Sequence, residues 1–249
     1  RFQGITVTTP GSNFTGYLFG ELLPGLYGFV YRDGNNDGIF SNYYDSGLYN
    51  VQVILSGTTA AGTSIYSTTL TDGTGRYLFA PLLTGTYTLI EPQPTGYLDG
   101  IDSPGNLGGI TSTLGNGNDL ISGIPITVAS YGRDYNFGEL YPAQIYGIVF
   151  LDLNGDGYYA YSEPGIVSAT LTLSGTNDRG QPVLVVTYTN STGNFTFANL
   201  RPGTYTLSET QPSGYLDGQE RSPAGTLSVV NDTFSAISVV AGNSYGQYQ

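Results

Sequence analysis

The stretch Tyr27-Gly-Phe-Val-Tyr-Arg-Asp-Gly-Asn-Asn-Asp-Gly38 returns 119 residues later as Tyr146-Gly-Ile-Val-Phe-Leu-Asp-Leu-Asn-Gly-Asp-Gly157. Further blocks return in the same order: Leu55-Ser-Gly-Thr58 as Leu173-Ser-Gly-Thr176, Thr84-Gly-Thr-Tyr-Thr-Leu89 as Pro202-Gly-Thr-Tyr-Thr-Leu207, and Gly96-Tyr-Leu-Asp-Gly100 as Gly214-Tyr-Leu-Asp-Gly218. The offset stays at 118 or 119 throughout, which chance does not produce, so the chain is two copies of one unit. Inside a copy the hydrophobic period is two. In Gly203-Thr-Tyr-Thr-Leu-Ser-Glu209, Tyr205 and Leu207 face one side while Thr204, Thr206 and Ser208 face the other. Ala169-Thr-Leu-Thr-Leu173 and Asn194-Phe-Thr-Phe197 alternate in the same way, as half-buried strands of an antiparallel sheet do. Gly, Pro, Asn and Asp interrupt these strands about every 8 to 12 residues, the spacing of a β-sandwich. The expected fold class is therefore all-β, two tandem antiparallel sandwiches, each large enough for a core of its own.

The expected divisions are residues 24–141 for the first module and 142–249 for the second, preceded by an orphan closing segment, 1–23. The first module ends in Tyr135-Asn-Phe-Gly-Glu-Leu140, and the chain opens with a matching Tyr17-Leu-Phe-Gly-Glu-Leu22 after the strand-like Ile5-Thr-Val-Thr8. The second module stops at Tyr245-Gly-Gln-Tyr-Gln249, where Phe-Gly-Glu-Leu would follow, and so is expected to lack its last strand. The two defects are complementary.

Composition narrows the chemistry. There is no Met, Cys, His, Trp or Lys, and the cations are seven arginines. Absence of Met implies a processed or excised chain. Without Cys there are no disulfides or thiolate sites, and without His the usual ligands for zinc, copper and haem are missing. Oxygen ligands remain abundant, with 19 carboxylates, and suit hard cations such as calcium. A net charge of -12 argues against nucleic acid and anionic membranes as partners. No apolar run approaches the roughly 18 residues that span a bilayer, so this segment is not expected to insert into a membrane.

The blocks Asp152-Leu-Asn-Gly-Asp-Gly157, Glu163-Pro-Gly165, Leu200-Arg-Pro-Gly-Thr-Tyr-Thr-Leu207 and Glu209-Thr-Gln-Pro-Ser-Gly-Tyr215 resemble the B-type repeats of serine-aspartate repeat surface proteins (SdrD B-like), within the CnaB-like, prealbumin-type β-sandwich group. The resemblance covers nearly the whole chain. It implies calcium-stiffened modules strung along an extracellular cell surface as stalks, fibres or adhesins. Many CnaB-type domains lock themselves with a Lys–Asn or Lys–Asp isopeptide bond assisted by a buried acid, and Glu91 and Glu209 sit where that acid is expected. With no Lys the bond cannot form, so these glutamates are expected at a sheet edge or turn.

Asp152, Asn154 and Asp156, then Gly157 and, six residues on, Glu163, fit a twelve-position calcium loop, with the Tyr158 carbonyl at the seventh place. Its counterpart holds Asp33, Asn35, Asp37, the carbonyl of Ile39, and Asp45, which comes one residue late. The same residues also favour tight turns without any ion. Recurrence at one repeat position, in a resembled family that binds calcium there, makes a structural calcium ion the expectation.

Nucleophilic triads and most general-base schemes need His, Cys or Lys, so an enzyme is not expected. The leading expectation is a subunit of an extracellular fibre, tubule or sheath that joins copies of itself head-to-tail by strand complementation. Its assembly residues would be Ile5, Val7, Phe19, Gly20, Glu21 and Leu22 on the donor and Tyr245 and Tyr248 on the acceptor. The alternative is a slice of a tandem-repeat adhesin or stalk that binds surface glycans or a host receptor, for which Tyr43, Tyr44, Tyr158, Tyr159 and Tyr161 are candidates. Asn13, Asn190, Asn194 and Asn231 stand in N-glycosylation sequons.

Overall fold

Four β-sheets, two per module, make up the computed structural model, which describes residues 23–113, 119–223 and 232–249. The expected donor residues Ile5, Val7, Phe19, Gly20, Glu21 and Leu22, and the sequons at Asn13 and Asn231, lie outside the described residues. Among those described, no helix is long and apolar enough to cross a membrane.

In the first module the central strand is β1 (Gly25–Arg32). It carries β2 (Ser46–Gly47) and β5 (Arg76–Phe79) antiparallel, and β11 (Tyr131–Gly132) and β12 (Tyr135–Leu140) parallel. Short strands β7 (Leu98–Asp99) and β8 (Ser103–Pro104) close the far side of β12. The facing sheet runs β4 (Ser64–Leu70), β3 (Gln52–Thr59), β6 (Gly85–Glu91), β10 (Asp119–Ile126), β9 (Ile110–Thr113). Alternate residues from both sheets meet in one core, where Leu26, Val30, Tyr77 and Phe137 oppose Val53, Leu55, Tyr87, Leu89 and Ile121. Period-two patterning decides which side is buried.

The second module repeats the plan. One sheet is β16 (Asn194–Leu200), β13 (Ala143–Ile148), β19 (Ser244–Tyr248), and the other is β15 (Pro182–Tyr188), β14 (Thr170–Asn177), β17 (Gly203–Thr210), β18 (Thr233–Val239). Its core is a separate cluster that includes Ile145, Leu173, Phe195, Tyr205, Leu207 and Tyr248. The Gly-Thr-Tyr-Thr-Leu block has a shared explanation. Tyr87 and Tyr205 bury their rings, and each hydroxyl donates to the carbonyl four residues back, Leu83 at 2.8 Å and Arg201 at 2.9 Å. A buried phenol thereby keeps its hydrogen bond.

The expectation that the second module lacks its last strand is corrected in part. β19 pairs parallel to β13, with Ile145 opposite Tyr245 and Gly147 opposite Tyr248. Gly28 lies against the Tyr135 carbonyl and Gly147 against that of Tyr248, each so close that a Cβ would overlap it. Tyr248 is thus the counterpart of Tyr135. Gln249, doubly hydrogen-bonded to the Arg221 backbone, matches Asn136, which pairs with Ser103. The strand is present as far as the Asn136 position, and the sequence ends before the positions of Phe137–Leu140. Of the two expected acceptor residues, Tyr248 is corrected because it is buried, while Tyr245 is partly buried. Tyr248 is a core side chain, edge-on to Phe234 at 5.0 Å, and the Tyr245 ring packs against the same core.

Candidate functional site: cation loops, a strand groove and a buried acid cluster

The two Asp-x-Asn-x-Asp-Gly loops follow β1 and β13, and each is drawn in by its first aspartate. Asp152 accepts from Gly155 N at 2.7 Å and Gly157 N at 2.8 Å. Asp33 accepts from Asp37 N at 3.2 Å and Gly38 N at 2.8 Å. Gly157 and Gly38 have φ near +70°, the left-handed conformation this turn requires. The closing acids play matching roles. Glu163 accepts from Leu153 N at 2.9 Å and Ala160 N at 2.8 Å, and Asp45 accepts from Gly34 N at 3.0 Å and Ser41 N at 2.6 Å. Asp45 comes one residue late and is one methylene shorter, so the extra backbone residue offsets the shorter side chain. Asn35 and Asn154 donate to Asp37 and Asp156. The backbone donors hold Asp152 below the usual carboxylate range, led by Gly157 N–H, whereas burial raises Asp33. The donor sets are all oxygen, as calcium requires, and Arg221 reaches the Asp156 backbone carbonyl rather than its carboxylate. These residues fit a hard cation.

The second feature is a groove. In the first module, Phe137, Gly138 and Glu139 pair parallel with Val30, Tyr31 and Arg32, while Glu139 and Leu140 pair antiparallel with Asp99 and Leu98. Each residue of this Phe-Gly-Glu-Leu motif has a physical role. Phe137 and Leu140 are buried, and a Cβ on Gly138 would lie 2.6 Å from the Ile101 carbonyl oxygen. The equivalent space in the second module is a cavity of about 620 Å³ between Ile148–Leu151 and Tyr215–Glu220. Val30 is fully buried, but its counterpart Val149 is only partly so; Leu98 is partly buried, but its counterpart Leu216 is 95% exposed.

Sequence reasoning missed the third feature. Glu91 and Glu209 were expected at an edge or turn, yet Glu91 is fully buried at the end of β6, and Glu209 is half-buried at the equivalent place. Oxygens of Glu91, Asp119 and Glu139 lie within 4.8 Å of one another, as do those of Asp99, Asp102 and Asp119. In the second module Asp217, Glu220 and Asp232, the counterparts of Asp99, Asp102 and Asp119, form the same trio. Burial first, then neighbouring carboxylates, pushes Glu91 up to about 10, Asp102 to about 8 and Glu209 to about 7; burial leads for Glu139 too, at about 9. The available signal was the recurrence of Glu91 with Asp99 as Glu209 with Asp217.

A clamp joins the modules. Arg179 of the second module pairs with the Asp99 carboxylate at 2.8 Å and donates to the carbonyls of Asp99 and Gly100. Arg201 donates to the Asp99 carbonyl at 2.6 Å and grips Asp178 through two nitrogens, while Asn36 donates to Asp178 at 3.0 Å. Of the remaining candidates, Asn190 and Asn194 are exposed, and the Asn190 amide oxygen caps a turn by accepting from Thr192 and Asn194. Tyr43 and Tyr44 meet edge to face, and Arg221 covers the Tyr158 ring at 3.8 Å, so these rings do not form one flat platform.

Comparison with known proteins matches residues 25–138 and 143–232 to the SdrD B-like domain. The chain is 32% identical over 203 residues to serine-aspartate repeat-containing protein D of Staphylococcus aureus (strain Newman), covering 76% of this chain and 14% of that protein. It is likewise 32% identical over 196 residues to serine-aspartate repeat-containing protein F of Staphylococcus epidermidis, covering 75% of this chain and 11% of that protein. The chain therefore spans a small fraction of the relatives it matches. Among solved structures, the minor pilin GBS52 of Streptococcus agalactiae is similar at 12% identity and a TM-score of 0.36, covering 90% of this chain and 93% of that one. The likeness is too distant to add to the fold already described. Two ordered modules, each matched by the same family model, make this chain a tandem member of the SdrD B-like domain family, an extracellular cell-surface repeat.

Proposed function

We propose that this chain is a calcium-stiffened structural subunit of an extracellular fibre, tubule or sheath, in which the groove of the second module takes the Phe19-Gly-Glu-Leu22 strand of another copy. What supports this reading is one observation: the groove has the position that Phe137–Leu140 fill in the first module, and Phe19–Leu22 repeats that motif. The incoming Phe and Leu would gain burial, and the glycine would clear a carbonyl as Gly138 does. Added backbone pairing would satisfy the exposed edge. Donor and acceptor lie at opposite ends of the chain, so the contact is head-to-tail and propagates. Calcium in the two loops would hold the ends of β1 and β13 rigid, which transmits load along the array. The role is mechanical rather than catalytic.

Light-scattering mass tests the proposal. The chain is compared with a variant lacking residues 1–22, each in millimolar calcium and in chelator. Polymer from the full chain and monomer from the truncated one is the expected result. Monomer from both overturns strand donation between copies and leaves a stalk or adhesin whose groove is closed within a single polypeptide.

A further inference from the structure

β15 (Pro182–Tyr188) is the edge of its four-stranded sheet and pairs with β14 on one side. Among the described residues no strand pairs with its other side, which leaves a row of backbone donors and acceptors open to a further strand. The alternation of apolar and polar residues also breaks down here. Val183, Val185 and Thr187 share the inward face, and Val183 packs against the core. Leu184, Val186 and Tyr188 stand on the outer face, opposite Ser174, Thr172 and Thr170 of β14. Leu184 is 74% exposed, and Val185, Val186 and Tyr188 are exposed with it.

The first module shows that the fold does not require this. β4 holds the same place there, paired with β3 as β15 is with β14, and Ser67 and Thr68 stand where the second module has Val185 and Val186. Exposed edges are commonly blunted by charged side chains, yet residues 180–200 contain none. A run of exposed, uncharged β-formers along a free edge is a surface suited to another strand of the same kind.

We propose that β15 is a self-association edge, pairing antiparallel with β15 of a second copy about a two-fold axis at Val185. In this register Val185 meets its own copy, Leu184 meets Val186, and Val183 meets Thr187. Leu184 and Val186 of both copies then close into one apolar patch on the outer face, and the two free edges satisfy each other. Charge selects the place. Copies with a net charge of -12 repel, and an edge without charged residues is where they approach at least cost. The Pro182 end lies toward the first module, through the pairing of Arg179 with Asp99. Antiparallel pairing sets that end against the other copy's Tyr188 end, so the two first modules extend in opposite directions. The contact joins chains side by side and is independent of the groove that would take a strand end-on. An edge of 7 residues is small beside the roughly 1,200 Å² of a stable interface, so one contact is weak and repetition along an array strengthens it.

The chain has no Cys, so a single introduced thiol reports the contact. V185C is compared with S67C, the equivalent position on β4, each in the full chain under mild oxidation. Directly opposed residues of antiparallel strands have Cα atoms about 4.5–5.5 Å apart, within the span of a disulfide. V185C is expected to form covalent dimer about tenfold faster than S67C or more, because pairing holds its two thiols together. Equal rates overturn the proposal. Adding L184K/V186K to V185C puts charge on the edge and should slow the cross-link to the S67C rate, whereas a persistent fast cross-link overturns pairing through this edge. All the substituted side chains are exposed, so the core is untouched. Each variant carries one thiol, so the covalent product stops at the dimer whether or not chains also polymerise end-on. Failure of strand donation therefore leaves this readout unchanged.

Discussion

The two modules share a plan, yet one is closed and the other open. In the first, β12 continues past Tyr135 through five more paired or buried residues, and Val30 and Tyr31 are fully covered. In the second, β19 ends at Tyr248, and Val149, Leu151 and Leu216 face a cavity. In the first module the Phe-Gly-Glu-Leu motif meets the backbone and side-chain demands of this end of the sandwich.

The strongest way to break the comparison is to close the open module artificially. Extending the chain after Gln249 with Phe-Gly-Glu-Leu should stabilise the second module by about 3–6 kcal/mol, from burying one Phe and one Leu at about 1.5–3 kcal/mol each. The extended chain should remain monomeric under conditions where the original polymerises. Denaturant unfolding and light scattering read both effects, and continued polymerisation would count against the groove as the assembly site.

Opening the closed module is the converse test. Gly138→Ala puts a Cβ against the Ile101 carbonyl oxygen and should destabilise the first module by about 1–3 kcal/mol, in the range of overpacking changes. The same change at Gly20 should weaken polymerisation without changing the fold of either module. A Gly20→Ala chain that polymerises like wild type would separate the donor segment from the Gly138 role.

The joint between modules sharpens the contrast further. Asp178, Arg179 and Arg201 grip the first module, but their counterparts in the first module are Ala60, Ala61 and Leu83. A joint between copies would therefore lack this clamp. Arg201→Ala should cost about 1–2 kcal/mol through lost charged hydrogen bonds and should widen the distribution of module angles seen by small-angle scattering. An unchanged distribution would mean that Tyr141-Pro142 alone sets the angle.

The smallest expected effect is the acid response of that joint. Burial acts to raise Asp178, but hydrogen bonds from Arg201 and Asn36, with the charges of Arg201 and Arg179, more than offset it and hold its carboxyl below the usual range. A depressed carboxyl stabilises the folded joint above the ordinary aspartate value, and that contribution is lost as pH falls through the lower folded value. Interdomain angles should stay constant down to about pH 4 and broaden only below it. Broadening that begins near neutrality would point to other groups.

Much of this was legible in the residues. Period-two alternation and a constant repeat offset determined the fold class and the two modules. Asp-x-Asn-x-Asp-Gly placed both loops, because short polar side chains and a left-handed glycine impose the turn locally. Tertiary structure decided what depends on residues distant in sequence. Tyr248 turned from an interface candidate into a core residue because parallel pairing with β13 carries it inward. Asp45 was shown to do the work of Glu163 because loop length and side-chain length compensate in space. Glu91, Asp102, Asp119 and Glu139 became one cluster only when β6, β10 and β12 came together, since alternation shows that a residue points inward but not which residues it will meet.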